Sequence, residues 1–231
     1  MTTSNEYKVL TTTANIASVL KDPLTASVVV HNNKILSDHL VDGLIVEEKE
    51  QPDGVDISIR VKEGVVIEKP VHMCFGVLHD MDVQKINMTV YLEKNASMKT
   101  YGHCILTADH TVKHIMDATI TLEDGANFSY FERHTHNESG TTEVYPTSKV
   151  HLGKDAKYRT EFELLKGRVG KMKIDIESFG DEKSVSDMIT RVSAKGNDEL
   201  YVREVAHLNG EYARSGLRSK VAVKGNSRAE V

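Results

Sequence analysis

The chain has 231 residues, 29 Lys and Arg against 34 Asp and Glu, a formal charge of −5, no Trp and two cysteines. That length suits one all-β domain, and the absence of a basic cluster argues against a nucleic-acid partner. No apolar run reaches the ~18 residues that would cross a membrane, the N-terminus lacks the apolar core of a secretory signal, and two cysteines make no disulfide framework, so a reducing, cytoplasmic setting is expected.

Residues 1 to about 50 follow no repeat. Ala14 to Lys21 reads as a short helix ended by Asp22-Pro23. Ser27 to His31 (SVVVH) reads as a strand, Asn32-Asn33 as a tight turn, and Asp38 to Val46 as another short apolar segment. This region is expected to be an N-terminal cap or lead-in (1–50), because a stack of strands needs its open end covered.

The remainder, 51–231, is read as the core. ISIRVKEGVVIEKPVHM starts at Ile57, with Val61 31 residues before Leu92 and Val65 31 before Ala96. Pro70 cannot donate a ladder bond, which predicts an edge or a bulge near the first coil. In this register Met73 joins the column of Cys104 and His134, while Cys74 points the other way. The two cysteines are therefore left unpaired.

The repeat is clearest from Val90 to Leu164. VYLEKNASMKTYGHC, ITLEDGANFSYFERH and VHLGKDAKYRTEFEL begin at Val90, Ile120 and Val150, 30 residues apart. Leu92, Leu122 and Leu152 are thus expected in one stacked column, and Ala96, Ala126 and Ala156 in another. A fixed period of this size signals stacked units. Side chains alternate across a strand, so the charged row Lys157, Arg159, Glu161 and Glu163 faces out. Met98, Thr100, Gly102 and Cys104 face in, with Phe128, Tyr130, Glu132 and His134 and then Tyr158, Thr160, Phe162 and Leu164. Cys104, His134 and Leu164 share one inward column. Sulfur or metal chemistry could use it; equally, Cys104 could be a small buried hydrophobe.

After Leu164 the register slips, which suggests an insertion near 165–185. VSAKGNDELYV from Val192 then matches VAVKGNSRAEV from Val221, 29 residues on, with Gly-Asn pairs suited to positive φ. About six copies of a 29–31-residue unit make a β-solenoid. The last copy reads as an open rung, so further polypeptide or a partner is expected to cover it.

Catalytic motifs are absent: no Gly-rich phosphate loop, no G-x-S-x-G, no C-x-x-C. His134-x-His136 could share one strand face, and His110 and His114 are four apart. Each is a weak metal signal without acidic or thiolate partners nearby in sequence. Arg214, Arg218, Lys220 and Lys224 read as a solvated face.

EKPVHMCFGVL (68–78), VYLEKNASMKTYGHC with HIMDATITLEDGANFSYFERH, and the closing GEYARSGLRSKVAVKGNSRAEV together resemble the core of the SufB/SufD family of iron–sulfur assembly proteins, over about 57–231. The resemblance implies an all-β, right-handed parallel β-helix and a non-enzymatic scaffold acting with a soluble ABC-type ATPase, a like or related SufB/SufD subunit as dimer partner, and a cysteine desulfurase as sulfur donor. Thr100-Tyr101-Gly102-His103-Cys104 matches the position at which SufB-like members receive sulfur, which marks Cys104 as the sulfur acceptor and His134 as its assistant. The family's cluster ligands follow the K-G-x-S rung, so they are expected beyond Val231. A transient iron–sulfur cluster is expected in a longer protein and no cofactor in this chain. The chain does not distinguish a SufB-like from a SufD-like role. Two other classes compete: a carbohydrate-active β-helix enzyme, which needs clustered carboxylates on one outward face, and a purely structural or adaptor solenoid. The outward column His72, His103, Arg133 and Glu163 mixes signs and argues against the enzyme.

Overall fold

A computed structural model describes residues 3–79 and 81–231. It opens with helix α1 (Thr3–Thr13), followed by a 3-10 turn (Val19–Lys21). The strands that follow are β1 (Ser27–His31), β2 (Lys34–His39), β3 (Leu44–Gln51), β4 (Gly54–Val61), β5 (Val71–Val77), β6 (Val83–Leu92), β7 (Ser97–Leu106) and β8 (Val112–Leu122). Then come β9 (Asn127–His136), β10 (Thr142–Leu152), β11 (Lys157–Leu164), β12 (Lys171–Gly180), β13 (Val185–Gly196), β14 (Glu199–Leu208), β15 (Arg214–Gly225) and β16 (Arg228–Glu230).

Successive strands alternate between two eight-stranded walls. One wall runs β15-β13-β11-β9-β7-β5-β1-β2 and the other β16-β14-β12-β10-β8-β6-β4-β3. Every ladder is parallel except the β1–β2 and β3–β4 hairpins, which finish the N-terminal end of each wall. This is the stacked solenoid that the period implied, in the parallel β-helix form that the resemblance implied. Leu92, Leu122 and Leu152 are direct register partners and all buried. Burying one such leucine contributes about 1.5–3 kcal/mol.

The polar turns stack as well. Gly64, Asn95, Gly125, Asp155, Lys183 and Tyr212 all have positive φ at one corner, and each of the first five donates its N–H to the next rung. Asn and Asp tolerate this left-handed region better than other side chains, and Gly125 takes it without strain. Where Lys183 and Tyr212 adopt it, the pattern of the stack overrides local preference. The second corner uses Gly196 and Gly225, in register as the Gly-Asn match indicated.

Several expectations change. The N-terminal helix covers 3–13, not 14–21; only the 3-10 turn falls in that stretch. Tyr7, Leu10, Ala14 and Ile16 cover Val29, Cys74 and Ile105 on the outer face of one wall, and that burial outweighs the local signals. Strand β1 and the turn at Asn32 are as read, with Asn32 at φ 56. The apolar segment 38–46 is split by a turn between β2 and β3.

The Pro70 expectation is met. Val66 bridges Ser97, but Val71 already pairs with Thr100, so two extra residues bulge out between them around Pro70. That shift of two keeps the faces but moves the columns: Phe75, not Met73, stands beside Cys104. Likewise Cys74, not His72, precedes His103, Arg133 and Glu163 on the outer face. The suggested insertion at 165–185 is instead a contraction. Glu143 pairs with Lys171 and Tyr158 with Ser186, which shortens the rung to 28 residues.

Candidate functional site

Near the end of β7 the inward row of one wall stops being apolar. Cys104 is fully buried and pairs in register with His134 of β9. Glu132 and His136 flank His134 at strand spacing, so all three point inward, and each is at most 5% exposed. The opposite wall brings its own polar pair to this level: Gln84 of β6 and His114 of β8, register neighbours and both buried. Polar groups in a β-helix interior are costly unless bonded, and here each is bonded.

The bonds settle the tautomers. Gln84 donates Nε2 to the carbonyls of Asn32 (2.6 Å) and Gly76 (3.3 Å), which leaves its Oε1 facing His114 Nδ1 at 3.0 Å. His114 therefore carries its proton on Nδ1, and its bare Nε2 stands 3.8 Å from Cys104 Sγ. His136 Nδ1 donates to the Arg168 carbonyl (2.8 Å), so its Nε2 accepts from His134 Nδ1 (3.1 Å). The other nitrogen of His134 meets Glu132 Oε1 at 2.7 Å, a contact that holds one proton between them. Glu132 Oε1 is also 3.5 Å from Cys104 Sγ.

Electrostatics agree with that arrangement. Burial, reinforced by His134, pushes His114 down to about 3, so it stays neutral. The same two causes hold His136 at about 3. Burial and then Glu132 raise the Cys104 thiol well above its ordinary value. Burial, the largest influence, would raise Glu132, but the hydrogen bond and charge of His134 together with His114 and the Cys104 thiol outweigh it and hold the carboxyl below its usual range. The result is a protonated thiol beside an acceptor nitrogen and a buried carboxylate.

Space is made by Gly102. A Cβ there would lie 2.7 Å from Tyr130 Oη, so the Tyr130 ring lies over the glycine and reaches Met116 Sδ at 3.9 Å. Beyond Glu132 a cavity of about 40 Å³ runs between Tyr130, Thr160 and Phe162. Thr100 Oγ1, buried in the neighbouring column, has no hydrogen-bond partner among the described residues.

Cys104 lies inward as its strand parity required. His134 lies beside it in register, but the imidazole bonded to the thiol is His114. The two histidine pairs fare differently. His134 and His136 do share one face, while His110 sits at the rim on the Met81 carbonyl (3.0 Å), away from His114. Gln84 was not singled out from sequence, Glu132 was named only as an inward position, and His136 and His114 were named only within the two weak histidine pairs. A lone acid at an inward position of an apolar row was the available signal for Glu132. Gln84 gave none, and nothing tied His114 to Cys104, because both belong to the other wall. A second group, Glu6, His31 and His79, gathers under α1, with Glu6 Oε1 3.8 Å from His31 Nδ1 and 3.5 Å from His79 Nε2.

No family model matches the chain. Two archaeal proteins do. An iron-sulfur cluster assembly SufBD family protein of Methanocaldococcus jannaschii is 34% identical over 201 residues, 87% of this chain and 64% of its own length. Another of the same description, from Pyrococcus horikoshii, is 29% identical over 206 residues, 89% of this chain and 63% of its own length. The chain thus spans a little under two thirds of each relative. Over nearly all of its residues, and with a fold of stacked parallel rungs, the chain is similar to these two SufBD family proteins.

Proposed function

We propose that this chain is a non-enzymatic scaffold subunit of iron–sulfur cluster assembly, with Cys104 as its sulfur acceptor. It would work in the cytoplasm with a soluble ABC-type ATPase, a like or related subunit, and a cysteine desulfurase as sulfur source; a transient cluster would be cargo and not a resident cofactor. The two similar proteins, both of iron-sulfur cluster assembly, support the process. One observation supports the residue: a fully buried thiol with an oriented acceptor nitrogen on it, at a polar cluster within a mostly apolar interior.

The chemistry would run as sulfane transfer. Cys104 Sγ attacks the outer sulfur of a donor persulfide while its proton passes by way of His114 Nε2 toward the leaving donor sulfur, so that His114 is neutral before and after the step. The donor S–S bond breaks, the donor leaves as a thiolate that takes up a proton, and Cys104 becomes the persulfide. Because Cys104 is enclosed, delivery needs a local opening of the wall around it. The carbohydrate-enzyme reading draws less support: the acids of the outer face are tied to arginines, Glu163 to Arg133 and Glu161 to Arg159 and Arg191.

The test is anaerobic incubation with a desulfurase and cysteine, alkylation, and mass spectrometry of the Cys104 peptide. A one-sulfur adduct on Cys104, absent in Cys104→Ala, is expected. If Cys104 stays unmodified while Cys104→Ala supports cluster assembly at the wild-type level, the adaptor reading takes its place.

A further inference from the structure

We propose that Cys104, Glu132, His134 and His114 form a site for one divalent transition-metal ion of borderline softness, of the zinc(II) or iron(II) class. The proposal does not depend on Cys104 accepting sulfur. It starts from the donor atoms. Cys104 Sγ, Glu132 Oε1 and His134 Nε2 all lie within 4.8 Å of one another, and His114 Nε2 is 3.8 Å from the sulfur. Around a four-coordinate ion with bonds of ~2.0–2.3 Å, donor atoms stand roughly 3.3–3.7 Å apart. The Sγ–Oε1 distance of 3.5 Å already falls there, and Sγ–Nε2 of His114 is close. The 2.7 Å contact between Glu132 and His134 must widen, and His114, which lies outside the 4.8 Å group, must draw in from the opposite wall.

The supporting layer is already in place. Metal-binding histidines almost always donate their second nitrogen to a fixed acceptor, which sets tautomer and ring orientation. His114 donates Nδ1–H to Gln84, itself held by two backbone carbonyls. His134 donates Nδ1–H to His136, itself held by the Arg168 carbonyl. Both inward nitrogens are thereby aimed at the Cys104–Glu132 pair. Charge also balances: a thiolate and a carboxylate neutralise a dication, so the loaded site adds no net charge to a dry interior. Binding displaces two protons to solvent, the thiol proton as the S–metal bond forms and the proton held between Glu132 and His134 as both become ligands. One thiolate, two imidazoles and one carboxylate suit zinc(II) or iron(II) better than the hard cations that prefer all-oxygen shells. The ligands come from β7 and β9 on one wall and β8 on the other, so the ion would staple the walls together.

Cobalt(II) is the probe, added anaerobically to the native, untagged full chain and separately during its refolding from denaturant. One cobalt per chain is expected, with tetrahedral visible bands and a sulfur-to-cobalt band in the near ultraviolet. Cys104→Ser should lose the sulfur band. Gln84→Leu, which touches no ion, should weaken affinity about 10–100-fold while circular dichroism shows an intact fold. Glu6→Gln, in the group under α1, should change nothing. Failure to take up stoichiometric cobalt by either route overturns the site, as does a sulfur band that survives in Cys104→Ser. Cobalt binding without any persulfide on Cys104 would leave the metal site standing and remove the sulfur reading alone.

Discussion

Cys104 Sγ and His114 Nε2 lie 3.8 Å apart across the interior of the β-helix, one on each wall, with the ring orientation of His114 set by Gln84. This geometry distinguishes His114 from His134, which spends both nitrogens on Glu132 and His136. If Cys104 accepts sulfur, His114→Ala should slow persulfide formation about 100-fold, the usual weight of a positioned base. The measurement is the single-turnover rate of adduct growth on Cys104. A larger loss in His134→Ala than in His114→Ala would contradict the tautomer assignment.

The two thiols should be protected from bulk reagents. Cys74 is buried beneath α1 and pushed up to about 12 by that burial, and Cys104 is enclosed and likewise raised. At neutral pH neither should react with an alkylating reagent over minutes in the native protein, and both should react at once in denaturant. Rapid labelling of either thiol in the native chain would show that the wall around it opens far more readily than its packing suggests.

Gly102→Ala should destabilise the protein by about 1–3 kcal/mol, since a Cβ there meets Tyr130 Oη at 2.7 Å in a packed interior. Adding Tyr130→Phe removes the closest atom and should return part of that loss. Urea titrations of the four proteins of this cycle give the coupling. Simple additivity of the two substitutions would place the Tyr130 ring elsewhere.

Asp198 fastens the corner that carries the Arg168 carbonyl. It accepts N–H bonds from Val169 (3.0 Å), Gly170 (3.1 Å) and Lys195 (2.9 Å) and pairs with Arg168 (2.8 Å). Burial alone would raise its carboxyl, but Arg168 and the three amides hold it below the usual range. A folded value below the unfolded one adds stability above about pH 4 that is lost as pH falls through the folded value. Asp198→Asn should cost about 2–3 kcal/mol at pH 7. The gap should shrink in acid, and urea titrations at neutral and acid pH would show it. A gap that does not move with pH would mean that the carboxylate charge is not what holds this corner.

The rungs were readable from one strand pattern because period and parity are local. Leu92, Leu122 and Leu152 stack as their 30-residue spacing implied, and Cys104 faces inward because it is an even number of residues from Met98. Readings that relied on adjacent units having equal length drifted: two extra residues around Pro70 moved Phe75 into the place expected for Met73. The α1 helix was missed for a different reason, since its stability comes from the surface it covers and little in its own sequence announces it.

The choice of inner and outer faces and the burial of Cys104 follow from alternation along a single strand, a steric property that needs no partner, and the usual rung length follows from the spacing of the repeats. The company Cys104 keeps is another matter. His114 follows it by only 10 residues, bears no repeat relation to it, and reaches it because the corner after β7 turns the chain back onto the opposite wall. Contacts across the interior depend on how each corner loop sets one wall against the other. Ladder register within a wall carries no record of that, so the pocket exists only once both walls have closed.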